Sequence, residues 1–508
     1  MAALCASKRR HSKVAKRLDG PCLSGHGLTM VHPVSLNPPP SLTRSKPGYL
    51  LAAAVMASAM GFIDSSVTAI ALPAIRASLG GSLATAGWVQ AGYLLAVTAL
   101  VLVGGAMSDR FGVVRVFQGG IVAFMAASLL CALAPSMPLM IAARVLQGLG
   151  AAFMVPGSMT IVARAYGRAD RGRALGLWAA ASTATTAAGP ILGGLVLTLG
   201  GAEVWRVIFA MNLPLGAGAL WLLARHAIPD AGRPGTPVDL WGAVLATVGL
   251  GAMAVALTEG EALALPAAAL AVAAAVAFVW VESRLPAPMI RLDLFANRQF
   301  SAVNLVTLLL YIGLNGVSFY LPMTAISIWH ITPLGVTAAF LPISISIALL
   351  SGRAGRLAER VGFGWPLTIG SLMVALAYGL IAHFAPAQDF WHLTAPFCLL
   401  TGLGLALVVG PLTACVMAAA PESDQGAASG INNATARAAG LIAVALMGRI
   451  ALWSYGPVSG DMPGFALAHA SAAHNAASSL AFAHIAATCA VLALAAAAVS
   501  ALGLIRRA

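Results

Sequence analysis

The eight residues Gly105-Ala-Met-Ser-Asp-Arg-Phe-Gly112 return 250 positions later as Gly355-Arg-Leu-Ala-Glu-Arg-Val-Gly362. Glycine closes both ends of each copy, an acid–arginine pair holds the fifth and sixth places, and an apolar residue follows. Each copy is a polar island between long apolar runs, in a chain that is 60% hydrophobic. Two copies of one charged turn, each joining membrane spans, imply two repeated halves. Proteins that rock one half against the other around a central site are built on this plan.

Composition narrows the class. Only 9% of residues are charged and the mean hydropathy is +0.89, too apolar for a soluble chain of 508 residues. The apolar runs are roughly 20 residues long, which suits helices crossing a hydrocarbon core of about 30 Å. Strands of a transmembrane barrel are about half that length and alternate in polarity. The expected fold is therefore an all-α polytopic membrane protein.

Fourteen spans can be marked, near 49–72, 83–107, 115–134, 137–163, 172–200, 205–224, 239–258, 264–282, 300–325, 333–350, 364–385, 391–417, 427–452 and 476–505. The first copy of the turn joins spans two and three, and the second joins ten and eleven. If each is the second connection of a six-helix half, two further spans lie between the halves. The expected division is a basic tail at 1–47, a bundle at 48–225, two linking helices at 226–285 and a second bundle at 286–508.

Lysine and arginine give the orientation. Twenty-four of the 29 fall on the side that holds both termini, and without the tail the ratio is still sixteen to two. Arg76 and Arg206 are the two on the opposite side. The positive-inside rule then puts both termini in the cytoplasm, so the basic balance needs no nucleic acid as partner. The tail holds all four lysines and the run Pro38-Pro39-Pro40 but no apolar stretch of signal-peptide length, and reads as a disordered cytoplasmic arm.

Other chemistries find little support. Cys5, Cys22, Cys131, Cys398, Cys415 and Cys489 show no Cys-x-x-Cys spacing, and the spacing of His469, His474 and His484 is not that of one helical face. No disulfide, metal site or cofactor is expected. A phosphate-binding Gly-x-x-x-x-Gly-Lys-Ser/Thr run is absent and the spans contain no lysine, which argues against ATP. No His–Asp pair stands on a membrane-facing loop to suggest an integral-membrane enzyme.

A tight turn between antiparallel helices needs permissive backbone, which Gly105 and Gly112 supply; Gly105 is expected to let spans two and three approach closely. Asp109 falls where span three begins, where its carboxylate can cap the helix and meet the positive end of the dipole. Arg110 can reach lipid phosphates or an acid on a neighbouring span.

Residues 105–112 are similar to the first eight places of the loop signature Gly-x-Leu-Ala-Asp-Arg-x-Gly-Arg-Lys of the major facilitator superfamily. The last two places are Val113 and Val114 here, with Arg115 one step later. Further stretches resemble that superfamily's fourteen-span drug:proton antiporters. Phe62-Ile-Asp-Ser-Ser-Val-Thr-Ala-Ile-Ala-Leu-Pro73 resembles the first-span signature, with Ala69 where Asn is usual. Leu139-Met-Ile-Ala-Ala-Arg-Val-Leu-Gln-Gly-Leu-Gly-Ala-Ala152 resembles that of the fourth span. Ala188-Gly-Pro-Ile-Leu-Gly-Gly194 carries the core of the fifth-span antiporter signature, and Trp205–Gly216 is similar to the entry into the sixth. The likeness covers about residues 48–507. It implies a cytoplasmic latch at Gly105, Asp109, Arg110, Gly112, Glu359 and Arg360, and an antiport-linked kink at Gly189, Pro190, Gly193 and Gly194.

An ionisable side chain inside a span is a functional hypothesis by default. Asp64 lies nine residues before Pro73 and Arg144 six after Pro138, so both sit ~9–13 Å inside the same membrane face at 1.5 Å per residue. They are expected to share one aqueous cavity, with Gln147 on the face of Arg144. Asp64 is the expected proton carrier and Arg144 the group that tunes it. Trp88 and Tyr93, like Gln147, are candidates for the substrate cavity; Trp178, Phe319 and Tyr320 are weaker ones. Asp239, Glu259, Glu261 and Glu282 read as solvated helix ends; Arg437 could bind an anionic group but reads first as a side chain that snorkels to the cytoplasmic surface.

The expected function is proton-coupled export of small amphipathic compounds, cationic or aromatic ones among them, by a monomer in a bacterial inner membrane. The partners are then a small-molecule substrate, protons and the lipid bilayer. The competing reading is the same fold moving a defined metabolite such as an amino acid, a siderophore or a sugar.

Overall fold

The structure is a computed structural model that describes residues 47–228, 230–233, 238–285, 288–421, 424–459, 464–469 and 471–505. The expected tail lies outside the described residues up to position 46, as do Arg506 and Arg507 at the other terminus. The side chain of Glu261 is also outside them. Fourteen helices among the described residues are long and apolar enough to cross a membrane. They are α1 (Gly48–Leu79), α2 (Leu83–Phe111), α3 (Val113–Leu133), α4 (Met137–Ala165), α5 (Asp170–Gly200), α6 (Trp205–His226) and α7 (Leu240–Thr258). The series continues with α8 (Ala262–Glu282), α9 (Arg298–Ser327), α10 (Pro333–Val361), α11 (Gly364–Ala387), α12 (Phe390–Ala418), α13 (Gln425–Gly456) and α14 (Ala472–Leu504).

Several helices outrun their apolar stretches. The tenth span was expected to stop near 350, yet α10 runs on to Val361, so the second copy of the repeated turn is itself helical. Nothing in Arg353–Arg360 breaks the helix, and Arg360 meets the negative end of the dipole in the last turn, as Arg110 does on α2 and Arg164 on α4.

The packing repeats between the two sets of six helices. α1 pairs with α5 as α9 does with α13, α2 with α4 as α10 with α12, and α3 with α4 as α11 with α12. The sets meet along α2 against α13, α5 against α10 and α1 against α9. α7 and α8 pack on each other, and α7 also lies against α2 and α13. Small residues set these distances. A Cβ on Gly104 would overlap the Ala152 carbonyl, so it is glycine that lets α2 lie against α4. Gly105, by contrast, has open space around it, and the close approach expected there belongs to its neighbour.

Candidate functional site

Asp64 on α1 and Arg144 on α4 form an ion pair through Oδ2 and Nη1. The pair is sealed: Asp64 is 1% exposed, and Arg144 and Gln147 are 0%. Arg144 also donates to the Gln147 Oε1 at 2.5 Å and to the Val89 carbonyl at 3.0 Å. Gln147 Nε2 in turn donates to Asp64 Oδ1 at 2.9 Å and to Ser128 Oγ at 2.8 Å. Asn212 on α6 adds its Nδ2, 3.2 Å from the same Ser128 hydroxyl. The Arg144 guanidinium lies 4.5 Å from the ring centre of Tyr93 and 5.8 Å from that of Phe209.

Helical spacing explains the cluster. Arg144 and Gln147 are three apart on one face of α4, and both reach the single carboxylate that α1 offers at that depth. Removing one partner of such a buried pair costs about 3–5 kcal/mol, because it strands the other charge. Sequence reasoning did not single out Ser128, Asn212 or Phe209. Asn212 carried a usable signal, a lone amide within the apolar entry of a span; Ser128 carried none.

A cavity of about 380 Å³ opens between the two sets of helices, walled by α1, α2, α4, α5, α9, α10 and α13. Phe62, Tyr93 and Phe319 give it apolar faces, and Ser65, Asn315 and Arg437 give it polar ones. Asp64, Arg144 and Gln147 do not line it. The expected shared aqueous cavity is thus two compartments, with Tyr93 belonging to both. Trp88 does not line it either: its indole faces Glu259 at 3.4 Å, and the ring packs with Ala91, Ala254 and Leu441 beside α7. Trp178 donates to the Ser58 hydroxyl at 3.1 Å, and the Tyr320 hydroxyl donates to the Val444 carbonyl at 2.7 Å.

Arg437 was expected at the membrane surface. The polar segment before it is helical, α13 beginning at Gln425, so twelve residues lie below Arg437. That is ~18 Å of helix at 1.5 Å per residue, too far for a side chain to snorkel. It faces the cavity instead.

At the end of the bundle remote from the repeated turns, α5 closes on α10. The Thr337 hydroxyl donates to the Pro190 carbonyl at 2.9 Å, and the Leu334 amide donates to Thr198 Oγ1 at 3.2 Å. A Cβ on Gly194 would lie 3.1 Å from Leu334 Cα and 3.0 Å from the Pro333 carbonyl, so only glycine permits this approach. Gly189 and Gly193 face the other way, where a Cβ would overlap Ser66 and Val67 of α1. Arg76 adds a second tie at this end, donating to the Phe465 carbonyl at 2.6 Å. It lies buried in α1, not in a loop.

A model of the family described as Major Facilitator Superfamily matches residues 54–445. The chain belongs to the Major Facilitator Superfamily. It is 31% identical over 402 residues to "Multidrug resistance protein Stp" of Mycobacterium tuberculosis (strain CDC 1551 / Oshkosh), covering 78% of this chain and 74% of that one. It is 30% identical over 400 residues to the methylenomycin A resistance protein of Bacillus subtilis (strain 168), covering 77% and 84%. It is 29% identical over 431 residues to the tetracenomycin C resistance and export protein of Streptomyces glaucescens, covering 83% and 79%. Among solved structures, an inward-facing, unoccupied bacterial homolog of the human lysosomal transporter Spinster matches with a TM-score of 0.67 at 15% identity, over 92% of this chain and all of that one. The xylose transporter XylE of E. coli matches at 0.58 and 13%, over 89% and 98%. At these identities the structural likeness shows the fold alone; the family and the fourteen apolar helices indicate a multi-pass membrane protein.

Both copies of the superfamily's charged turn are present in the same local geometry. α2 and α10 each end in a glycine of positive φ, +95° at Gly112 and +88° at Gly362. Asp109, Arg110, Glu359 and Arg360 are exposed, and no ion pair among the described residues ties either acid across the bundle. Asp109 does not cap α3. It sits in the last turn of α2, and the cap comes from Asp230 after α6, whose Oδ1 accepts the Val114 amide at 3.3 Å. Asp230 Oδ2 accepts from Arg164 at 2.8 Å, and the Arg233 amide donates to the Asp109 carbonyl at 2.8 Å. Burial pushes the Asp230 carboxyl up, but the bonds from Arg164 and from the Val114 and Val113 amides outweigh it and hold the group below the usual aspartate range. The segment after α6 is thus docked on the first repeated turn.

Among the four acids of the linking helices, Glu282 departs from expectation. It is 2% exposed, and its Oε2 accepts the Ile290 amide at 2.8 Å because the chain folds back over the end of α8. Asp239 caps α7 through the Gly242 amide at 2.7 Å.

Proposed function

We propose that this protein is a proton-coupled exporter of small amphipathic molecules that works by alternating access. The observation that carries the reading is the sealed Asp64–Arg144–Gln147 network behind Tyr93, one ring away from a drug-sized cavity between the halves. A carboxylate held only by a buried arginine and amides changes its whole environment when it takes a proton, and Tyr93 carries that change to the cavity wall. The names of the relatives, which speak of multidrug resistance and of antibiotic resistance and export, support the direction of transport.

The protein sits in a bacterial inner membrane as a monomer, with both termini and both repeated turns in the cytoplasm. Residues 48–225 and 286–508 move as the two halves, joined by 226–285. With α5 and α10 closed at the far end and the turns unlatched, the state is one that receives substrate from the cytoplasm. On closure of the cytoplasmic side, the Gly189–Gly194 stretch releases Thr337 and the cavity opens outward. Protons, not ATP, supply the free energy.

Expression in a pump-deficient bacterial strain tests the reading. Resistance and dye efflux should rise for a subset of small compounds and collapse when a protonophore dissipates the pH gradient. Efflux that persists without a gradient, or no gain for any compound, would remove it.

A further inference from the structure

We infer that the cavity takes an amphipathic anion, a carboxylate or comparable acid on an aromatic frame, with its charge on Arg437. The inference rests on the export reading only in taking this cavity as the substrate site.

Among the described residues lining the cavity, Arg437 is the one formally charged side chain; there is no Asp or Glu. Its titratable neighbour is Tyr93, a neutral phenol, and no hydrogen bond or ion pair from the described residues engages its guanidinium. Asp64 cannot serve, because it is committed to Arg144 inside the sealed network. A guanidinium does not shed its charge, and an uncompensated one at this depth costs several kcal/mol. It is tolerable because it lines a cavity that water or a ligand can fill. A carboxylate completes it with charge-assisted, bidentate hydrogen bonds. A cationic substrate meets the opposite: a like charge and no acid to offset it.

The rest of the lining sets the frame. Phe62, Phe319 and Phe340 supply rings for an apolar or aromatic body, and about 380 Å³ lies in the range of small-molecule sites. Gln90 adds an amide to the wall, and its buried carbonyl has no hydrogen-bond partner among the described residues.

Fluorescein and rhodamine 123 share a three-ring xanthene frame and differ in charge, so the pair reads the preference directly. Fluorescence polarisation measures binding to the purified full-length protein, and pH-driven movement in proteoliposomes is followed in parallel. Fluorescein should bind at least about tenfold more tightly than rhodamine 123. Arg437→Gln should lose that margin, Arg437→Lys should keep part of it, and Arg437→Glu should favour rhodamine 123. Thermal unfolding of each variant separates lost binding from lost fold, and the wild-type preference stands as a test without any variant. A wild-type protein that prefers rhodamine 123 or binds neither dye overturns the inference, as does a preference that survives in Arg437→Gln. The expected preference without pH-driven movement upholds the charge assignment and removes the export reading.

Discussion

Arg144 lies 4.5 Å from the ring centre of Tyr93, and Tyr93 also lines the central cavity. One aromatic ring therefore separates the buried charge network from the space a substrate would occupy. A desolvated cation–π contact is worth about 2 kcal/mol, so the ring is part of what holds Arg144 against Asp64. Tyr93→Phe keeps ring and contact and should transport at a rate within about twofold of wild type. Tyr93→Leu removes both and should uncouple the two compartments. In proteoliposomes, its substrate exchange without a gradient should persist while pH-driven accumulation falls by at least about tenfold. Equal loss of both activities would mean that Tyr93 only shapes the cavity.

How much of this was legible beforehand depended on what each residue reveals in one dimension. Asp64 and Arg144 are charges in apolar runs, and similar depth on two spans was enough to place them near each other, though in a shared cavity and not in a sealed pair. Arg437 is as conspicuous, but its facing was not readable. The marked span already begins at 427, close to the observed start at Gln425, but the polar Gln425–Asn433 segment gives no apolar face from which the rotation of the helix can be read. Trp88 and Tyr93 are five apart on α2 and so point different ways, one to Glu259 and one to the cavity. Asp230 and Glu282 were the least accessible, because their partners come from segments that fold back across the sequence. Loops carry no periodicity from which such a return can be read.

The seal between α5 and α10 depends on a missing side chain. A Cβ on Gly194 would lie 3.1 Å from Leu334 Cα and 2.6 Å from Thr337 Oγ1. Overpacking of this kind costs about 1–3 kcal/mol, enough to raise the population opened at that end about tenfold. Gly194→Val should therefore speed maleimide labelling of a cysteine placed at Thr198 by a comparable factor, while Gly105→Ala, where the space is open, should leave it unchanged. An unaltered labelling rate in Gly194→Val would show that this contact does not hold the end shut.

Asp230 ties the segment after α6 to the first repeated turn, and its loss should be felt as stability. Asp230→Asn removes the Arg164 ion pair and weakens the cap on α3, at a cost of about 1 kcal/mol. The pH dependence has a definite sign. The folded carboxyl is held below its ordinary value, so its stabilisation is complete above the unfolded value of about 3.9 and disappears as pH falls through the folded value. The gap in melting temperature between wild type and Asp230→Asn should thus be level from about pH 8 to 5 and close below about pH 4. A gap that widens on acidification would mean that the ion pair is not its source.

The proton step rests on Asp64. In the sealed state its two oxygens take hydrogen bonds from Arg144 and Gln147, and the Asn212 amide lies 3.5 Å away. Protonation replaces an acceptor with a donor and leaves Arg144 without its counter-charge, so the network must rearrange or admit water. An amide at this position is held in one such state permanently. Asp64→Asn should therefore bind substrate with an affinity that no longer varies with pH, and should exchange substrate across the bilayer without a gradient. It should fail to accumulate substrate when a pH difference is the only driving force. Stranding the Arg144 charge costs about 3–5 kcal/mol, so the variant should also melt earlier. The double variant Asp64→Asn with Arg144→Gln should recover part of that stability without recovering accumulation. This separates a folding role from a coupling role: a purely structural pair would regain transport along with stability. If Asp64→Asn still concentrates substrate on a pH difference alone, the proton travels elsewhere, and Glu282, a carboxyl covered at the end of α8, becomes the residue to change next.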